Sequence, residues 1–117
     1  MFSINILMEE LLKNVKEFLE SGEENLKKER FNAAVSDFFK AIVILCDYLI
    51  YKEIKIMPKN HNERFSLLSS YFKKIYIKVS ELFETYTNSY SLRLKKEDAI
   101  KLKSYANELQ NFVTNKK

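Results

Sequence analysis

A chain of 117 residues with one glycine and one proline can make very few tight turns. Turns draw on glycine for positive φ and on proline for a preset φ, and a β-rich domain needs such signals roughly every 8–12 residues. Long helices need few. Gly22 and Pro58 alone therefore predict an all-α fold, and the length fits a single domain over residues 1–117. The apolar share is 46 % and the charged share 31 %, which supplies a core and excludes a disordered chain. The longest uninterrupted apolar run, Ala41–Cys46, is far short of the ~20 residues a membrane-crossing helix needs. Glu9 and Glu10 interrupt the apolar opening stretch and no small-residue cleavage site follows, so no secretory leader is expected.

Hydrophobic spacing divides the chain into four to five helices. Leu7, Leu11, Val15, Phe18, Gly22 and Leu26 recur every three or four residues, which predicts a first helix from Ile6 to about Glu29. Gly22 lies on that stripe, where a missing side chain permits close approach of a second helix. The second helix is expected from Asn32 to Tyr51, with Asn32 as N-cap. Phe38, Ala41, Ile42, Leu45 and Leu49 form one of its faces; Phe39, Val43, Cys46 and Ile50 form another. A helix this apolar is either central in its bundle or buried against a second subunit, and Ser36, Asp37, Lys40 and Asp47 are its polar exceptions. Residues 52–60, ending past Pro58, read as a loop. A third helix starts near His61–Glu63. The alternation from Ile75 to Val79 reads as a helix junction, followed by a fourth helix carrying Val79, Leu82, Phe83, Tyr86 and Tyr90. The last helix runs from about Lys96 to Asn115, and residues 114–117 should fray.

Cys46, the only cysteine, excludes an intrachain disulfide and a cysteine zinc site, and its apolar surroundings suit a buried thiol in a reducing, cytoplasmic setting. The single glycine excludes a phosphate-cradling glycine-rich loop. No cofactor is expected. Residues 1–50 carry six Lys/Arg against nine Asp/Glu, and residues 51–117 carry fourteen against seven. The basic second half suits an acidic partner or nucleic acid, or is simply a solvated surface.

Two clusters offer chemistry. His61 and Arg64 sit three residues apart at a helix start and read either as an acid/base pair facing an anion or RNA, or as a loop residue beside a surface ion-pair partner. Arg93 follows Tyr86 and Tyr90 and reads either as a phosphate or carboxylate contact or as the partner of Asp37 or Asp47, since buried acids need a cation. Tyr71, Tyr76, Tyr86, Tyr90 and Tyr105 lie in the basic half, where aromatic rings can stack bases; their helical spacing favours packing instead.

Two resemblances follow from these residues. The stretch from Gly22 to Ile42, GEENLKKERFNAAVSDFFKAI, resembles a single tetratricopeptide hairpin through Gly22, Leu26, Phe31, Ala34, Phe38 and Ala41. The run Arg30–Ser36 leading into Phe38–Cys46, the His61–Phe65 segment, the Tyr86, Tyr90 and Arg93 element, and Ala99 and Ala106 in the closing helix together resemble the HEPN family across nearly the whole chain. That resemblance implies a mostly up-and-down bundle that commonly dimerises and often acts beside a small nucleotidyltransferase, in toxin–antitoxin pairs or RNA-directed defence. Ribonuclease members carry an Arg followed four to six residues later by a His, and this chain has no such pair. The expectation is thus a non-catalytic module, homodimeric through its second helix, that binds a protein partner, a nucleotide or RNA through residues among His61, Arg64, Arg93, Asp37, Asp47 and Asn32. The alternatives are a metal-independent ribonuclease using His61 and a tetratricopeptide-like scaffold gripping peptides.

Overall fold

A computed structural model describes residues 4–115, and all five elements within it are helices: α1 (Ile4–Lys27), α2 (Phe31–Ile54), α3 (His61–Tyr71), α4 (Lys73–Asn88) and α5 (Lys96–Asn115). The expected all-α bundle is what the chain forms. Thr114 and Asn115 belong to α5, while residues 116 and 117 lie outside the described region. A helix of 24 residues is about 36 Å long, and the longest dimension of the molecule is 39 Å. The 24-residue α1 and α2 therefore run its full length.

The first two helices form a hairpin whose turn is built from backbone bonds. Arg30 N–H donates to Asn25 O and Glu29 N–H to Leu26 O, closing α1 in a Schellman-type cap with Glu29 in the left-handed region at φ 59°. Inside the hairpin, Gly22 meets Phe38. A Cβ added at Gly22 would lie 2.6–2.8 Å from three atoms of the Phe38 ring, and that ring is buried within the core. Gly22 is thus retained against its helix propensity because it admits the aromatic ring. We expect Gly22→Ala to lower the thermal midpoint: overpacking costs about 1–3 kcal/mol, against a propensity gain of ~1 kcal/mol. Adding Phe38→Leu should recover part of the loss. A midpoint that stays constant or rises in Gly22→Ala would show that the ring simply slides away.

α2 is the axis of the molecule. Twelve of its residues are buried, and it packs against each of the other four helices. Its wide apolar surface is covered within its own chain. Around it the neighbours fall into two groups: α1 and α5 touch each other, α3 and α4 touch each other, and the two groups make little contact with one another. α5 returns to lie on α2 and α1.

Two expectations are corrected. The α3–α4 break falls at Phe72 (φ −139°, ψ 63°), and Ile75 to Val79 are continuous helix. The strand-like alternation arises because α4 is apolar on more than one side: Val79 is buried, Tyr76 packs against Phe65, and Ile77 is 52 % exposed. Asn32 is the second residue of α2, not its N-cap; Arg30 holds that position and makes no side-chain cap bond.

Candidate functional site

The start of α3 is set locally. Pro58 ends the loop, the Asn60 side chain accepts from Glu63 N–H at 2.9 Å, and Glu63 Oε1 accepts from Lys59 N–H at 3.1 Å. This reciprocal cap fixes the first turn, so His61 and Arg64 lie one turn apart on the same helix face. That face looks onto α2 at Asp47. Arg64 Nε donates to Asp47 Oδ1 at 2.7 Å and Arg64 Nη2 to Asp47 Oδ2 at 2.9 Å, a bidentate fork. Both side chains are nearly buried, at 11 % and 12 % exposure. Arg64 is therefore a core ion pair and not a surface one.

The third arm of the guanidinium reaches His61. Arg64 Nη1 lies 2.7 Å from His61 Nδ1. A guanidinium carries only donors and stays protonated, so Nδ1 must accept, and the proton of the neutral imidazole sits on Nε2. Partial burial and the Arg64 charge push the His61 pKa below its ordinary 6.5, with Asp47 pulling the other way. Since the folded state prefers neutral His61, its contribution to stability is complete above about pH 6.5 and is lost as pH falls through the lower folded value. Urea midpoints measured from pH 7 down to pH 5 should decline more steeply in the wild type than in His61→Gln, whose amide oxygen can still accept from Arg64. Parallel curves would remove His61 from the linkage.

The His61 ring lies among aromatic side chains. It sits 5.5 Å from Phe83 and 6.1 Å from Phe65. Phe83 continues to Tyr86 at 6.2 Å, and Tyr86 stacks on Phe39 at 4.6 Å. The Tyr86 hydroxyl bonds that of Tyr90 at 2.8 Å; this bond and partial burial push the Tyr86 phenol up to about 12. Tyr90 itself is 77 % exposed, two residues beyond the end of α4. Of the five tyrosines of the basic half, Tyr105 is buried and Tyr76 and Tyr86 pack against phenylalanine rings, while Tyr71 and Tyr90 are exposed.

The remaining sequence candidates lie elsewhere. Asp37 accepts from Ser21 Oγ at 2.7 Å and Asn25 Nδ2 at 2.8 Å, a polar clasp between α1 and α2. Asn32 Nδ2 donates to Ser89 O at 2.8 Å and Leu92 O at 2.7 Å, while its Oδ1 accepts from Leu94 N–H at 3.0 Å. It fastens the α4–α5 loop. Arg93 is exposed in the α4–α5 loop and pairs with neither acid: Asp37 is held by Ser21 and Asn25, and Asp47 by Arg64. Cys46 is buried, and desolvation pushes its thiol up to about 12. Among the described residues, no group of three or more His, Cys, Asp or Glu side chains is placed to hold a metal ion, and no helix is long and apolar enough to cross a membrane.

One surface feature had no sequence signal. Between α4 and α5 lies an open groove of about 570 Å³, with Lys74, Ile75 and Lys78 on one wall and Tyr105, Glu108, Leu109 and Phe112 on the other. The residues are spaced as helix faces, but nothing in their order announces that α5 leaves α4 uncovered.

No family model matches the chain, and no curated protein or solved structure matches it.

Proposed function

We propose that this chain is a non-catalytic binding module of the HEPN type that works by holding a protein partner, with a nucleotidyltransferase as the first partner to test. The observation that carries the reading is that His61 and Arg64, the pair the ribonuclease alternative would use, are engaged with each other and with Asp47, while an open groove lies elsewhere, between α4 and α5. The state of His61 supports it. Its Nδ1 lone pair is engaged by Arg64 and its Nε2 carries the proton, so neither nitrogen offers a free lone pair to a substrate hydroxyl. A ribonuclease using His61 as base would first have to break the Arg64 contact.

End-labelled single-stranded RNA, run on denaturing and native gels at low and moderate salt, separates the readings. We expect neither cleavage nor a shift. Cleavage abolished by His61→Ala would install the ribonuclease, and a shift that fades with salt would make the basic half a phosphate-binding face. In the positive arm, a nucleotidyltransferase from the same genome, co-expressed with the tagged chain, should co-elute with it on size exclusion. The elution volume of the chain alone gives its oligomeric state.

A further inference from the structure

α3 has eleven residues and buries only Leu68. A helix so thinly buried belongs to the low end of local stability, so the contacts of its first turn decide whether that turn stays docked. Two contacts reach other helices from it. One is the Arg64 fork on Asp47 of α2. The other is the His61 ring, 5.5 Å from the Phe83 ring of α4 and held at Nδ1 by Arg64 Nη1, 2.7 Å away. One turn on, Phe65 reaches the same Phe83 ring at 5.4 Å. The His61–Arg64 contact exists only for a neutral imidazole: a guanidinium offers donors alone and stays charged, so a proton on Nδ1 would set N–H against N–H and cation against cation. The charged groups acting on His61 are Arg64 on its own helix and Asp47 on α2. From α4 it meets the Phe83 ring, with the protonated Tyr86 phenol behind it. Both Asp47 oxygens are taken by the fork. His61 is also the first residue of α3, where the positive end of the helix dipole disfavours a cation.

We propose that His61 is an acid-released clasp: on protonation the imidazolium leaves Arg64 and Phe83 and turns to solvent, undocking the first turn of α3 from α4 while the Arg64 fork keeps the helix on α2. His61 is already exposed on one side, so a side-chain rotation is enough to bring the charged ring into water. Phe65 and Leu68 stay where they are, and the change is confined to one turn. The departing ring uncovers the edge of Phe83 that it covers at neutral pH. Linkage fixes the sign and the size. The docked turn prefers the neutral ring, so the undocked fraction grows as pH falls below about 6.5. It grows at most ten-fold per pH unit and levels off once the docked form protonates as well. Burial of the ring and the Arg64 charge, opposed by Asp47, set that second point below the ordinary 6.5.

The test is nuclear magnetic resonance of the isotope-labelled full chain, titrated from about pH 7.5 to about pH 5. At the upper end the imidazole nitrogens should show the Nε2–H tautomer. The His61 midpoint should fall below 6.5. The Phe83 ring protons and the Glu63 and Arg64 amides, both bonded to Asn60, should move with that same midpoint, while the Arg64 Nε–H signal persists. His61→Gln keeps every carboxylate and an acceptor for Arg64, so in that variant the Phe83 and amide signals should hold their positions over the same range. The proposal is overturned if His61 titrates at or above 6.5, if the Phe83 protons do not follow it, or if His61→Gln shows the same movement. Loss of the Arg64 Nε–H signal at the His61 midpoint would overturn it too, because the contact with α2 would then open together with the clasp.

Discussion

Arg64→Ala will destabilise the fold by about 3–5 kcal/mol, the cost of stranding a buried charge. Asp47 is buried, and both of its oxygens are held by the Arg64 fork. Without the guanidinium, the carboxylate at the centre of α2 has no cation, since Arg93 stays with the α4–α5 loop. Domain stabilities run to only about 5–15 kcal/mol, so this loss takes a large fraction of the total. Asp47→Ala should cost a similar amount by leaving the guanidinium unpaired. The pair itself is a different matter: replaced together by Asp47→Leu/Arg64→Met, two apolar side chains of comparable volume, it should give back most of the loss. Urea unfolding of the four proteins decides the point. A single-variant loss below about 1 kcal/mol would mean that water reaches the site and that the pair behaves as a surface bridge.

The second large effect is at Asn32. Its amide makes three hydrogen bonds to a loop 57 to 62 residues away, at about 1 kcal/mol each. Asn32→Ala removes all three. The bond to Leu92 O is exposed, so water restores part of it, and we expect a loss of about 2 kcal/mol. Asn32→Asp should do no better, because it keeps an acceptor for Leu94 N–H but sets a carboxylate against the Ser89 and Leu92 carbonyls. Hydrogen exchange gives the signature: in Asn32→Ala the Leu94 amide should lose protection while amides in the middle of α2 keep theirs relative to global stability. Uniform loss of protection would make Asn32 a contributor to the global core instead of a latch on one loop.

These two residues mark where reading the chain alone stops. Asn32 follows an aromatic residue at a helix start, a position where capping is the usual use of asparagine, and nothing local distinguishes a cap from a latch on a distant loop. Asp47 announces a need for a cation through its place in an apolar run, but two arginines could have met it. The choice of Arg64 over Arg93 depends on where α3 crosses α2, which is settled by packing.

What the sequence determined by itself is local. The scarcity of glycine and proline excluded a sheet, the three- and four-residue spacing placed four to five helices, Pro58 marked the loop before α3, and Gly22 on an apolar stripe announced a close helix contact. Each rests on backbone geometry within a turn or two of the residue concerned. The tertiary structure decided the rest: that α5 lies on α2 and α1 and leaves a groove beside α4, that Arg64 rather than Arg93 neutralises Asp47, and that the His61 ring lies against Phe83 of α4. All three depend on which helix faces meet across long sequence separations. Many arrangements of five amphipathic helices bury similar apolar area, and the selection among them is made by specific fits, such as Phe38 over Gly22 and the Arg64 fork on Asp47, that exist only once the helices have docked.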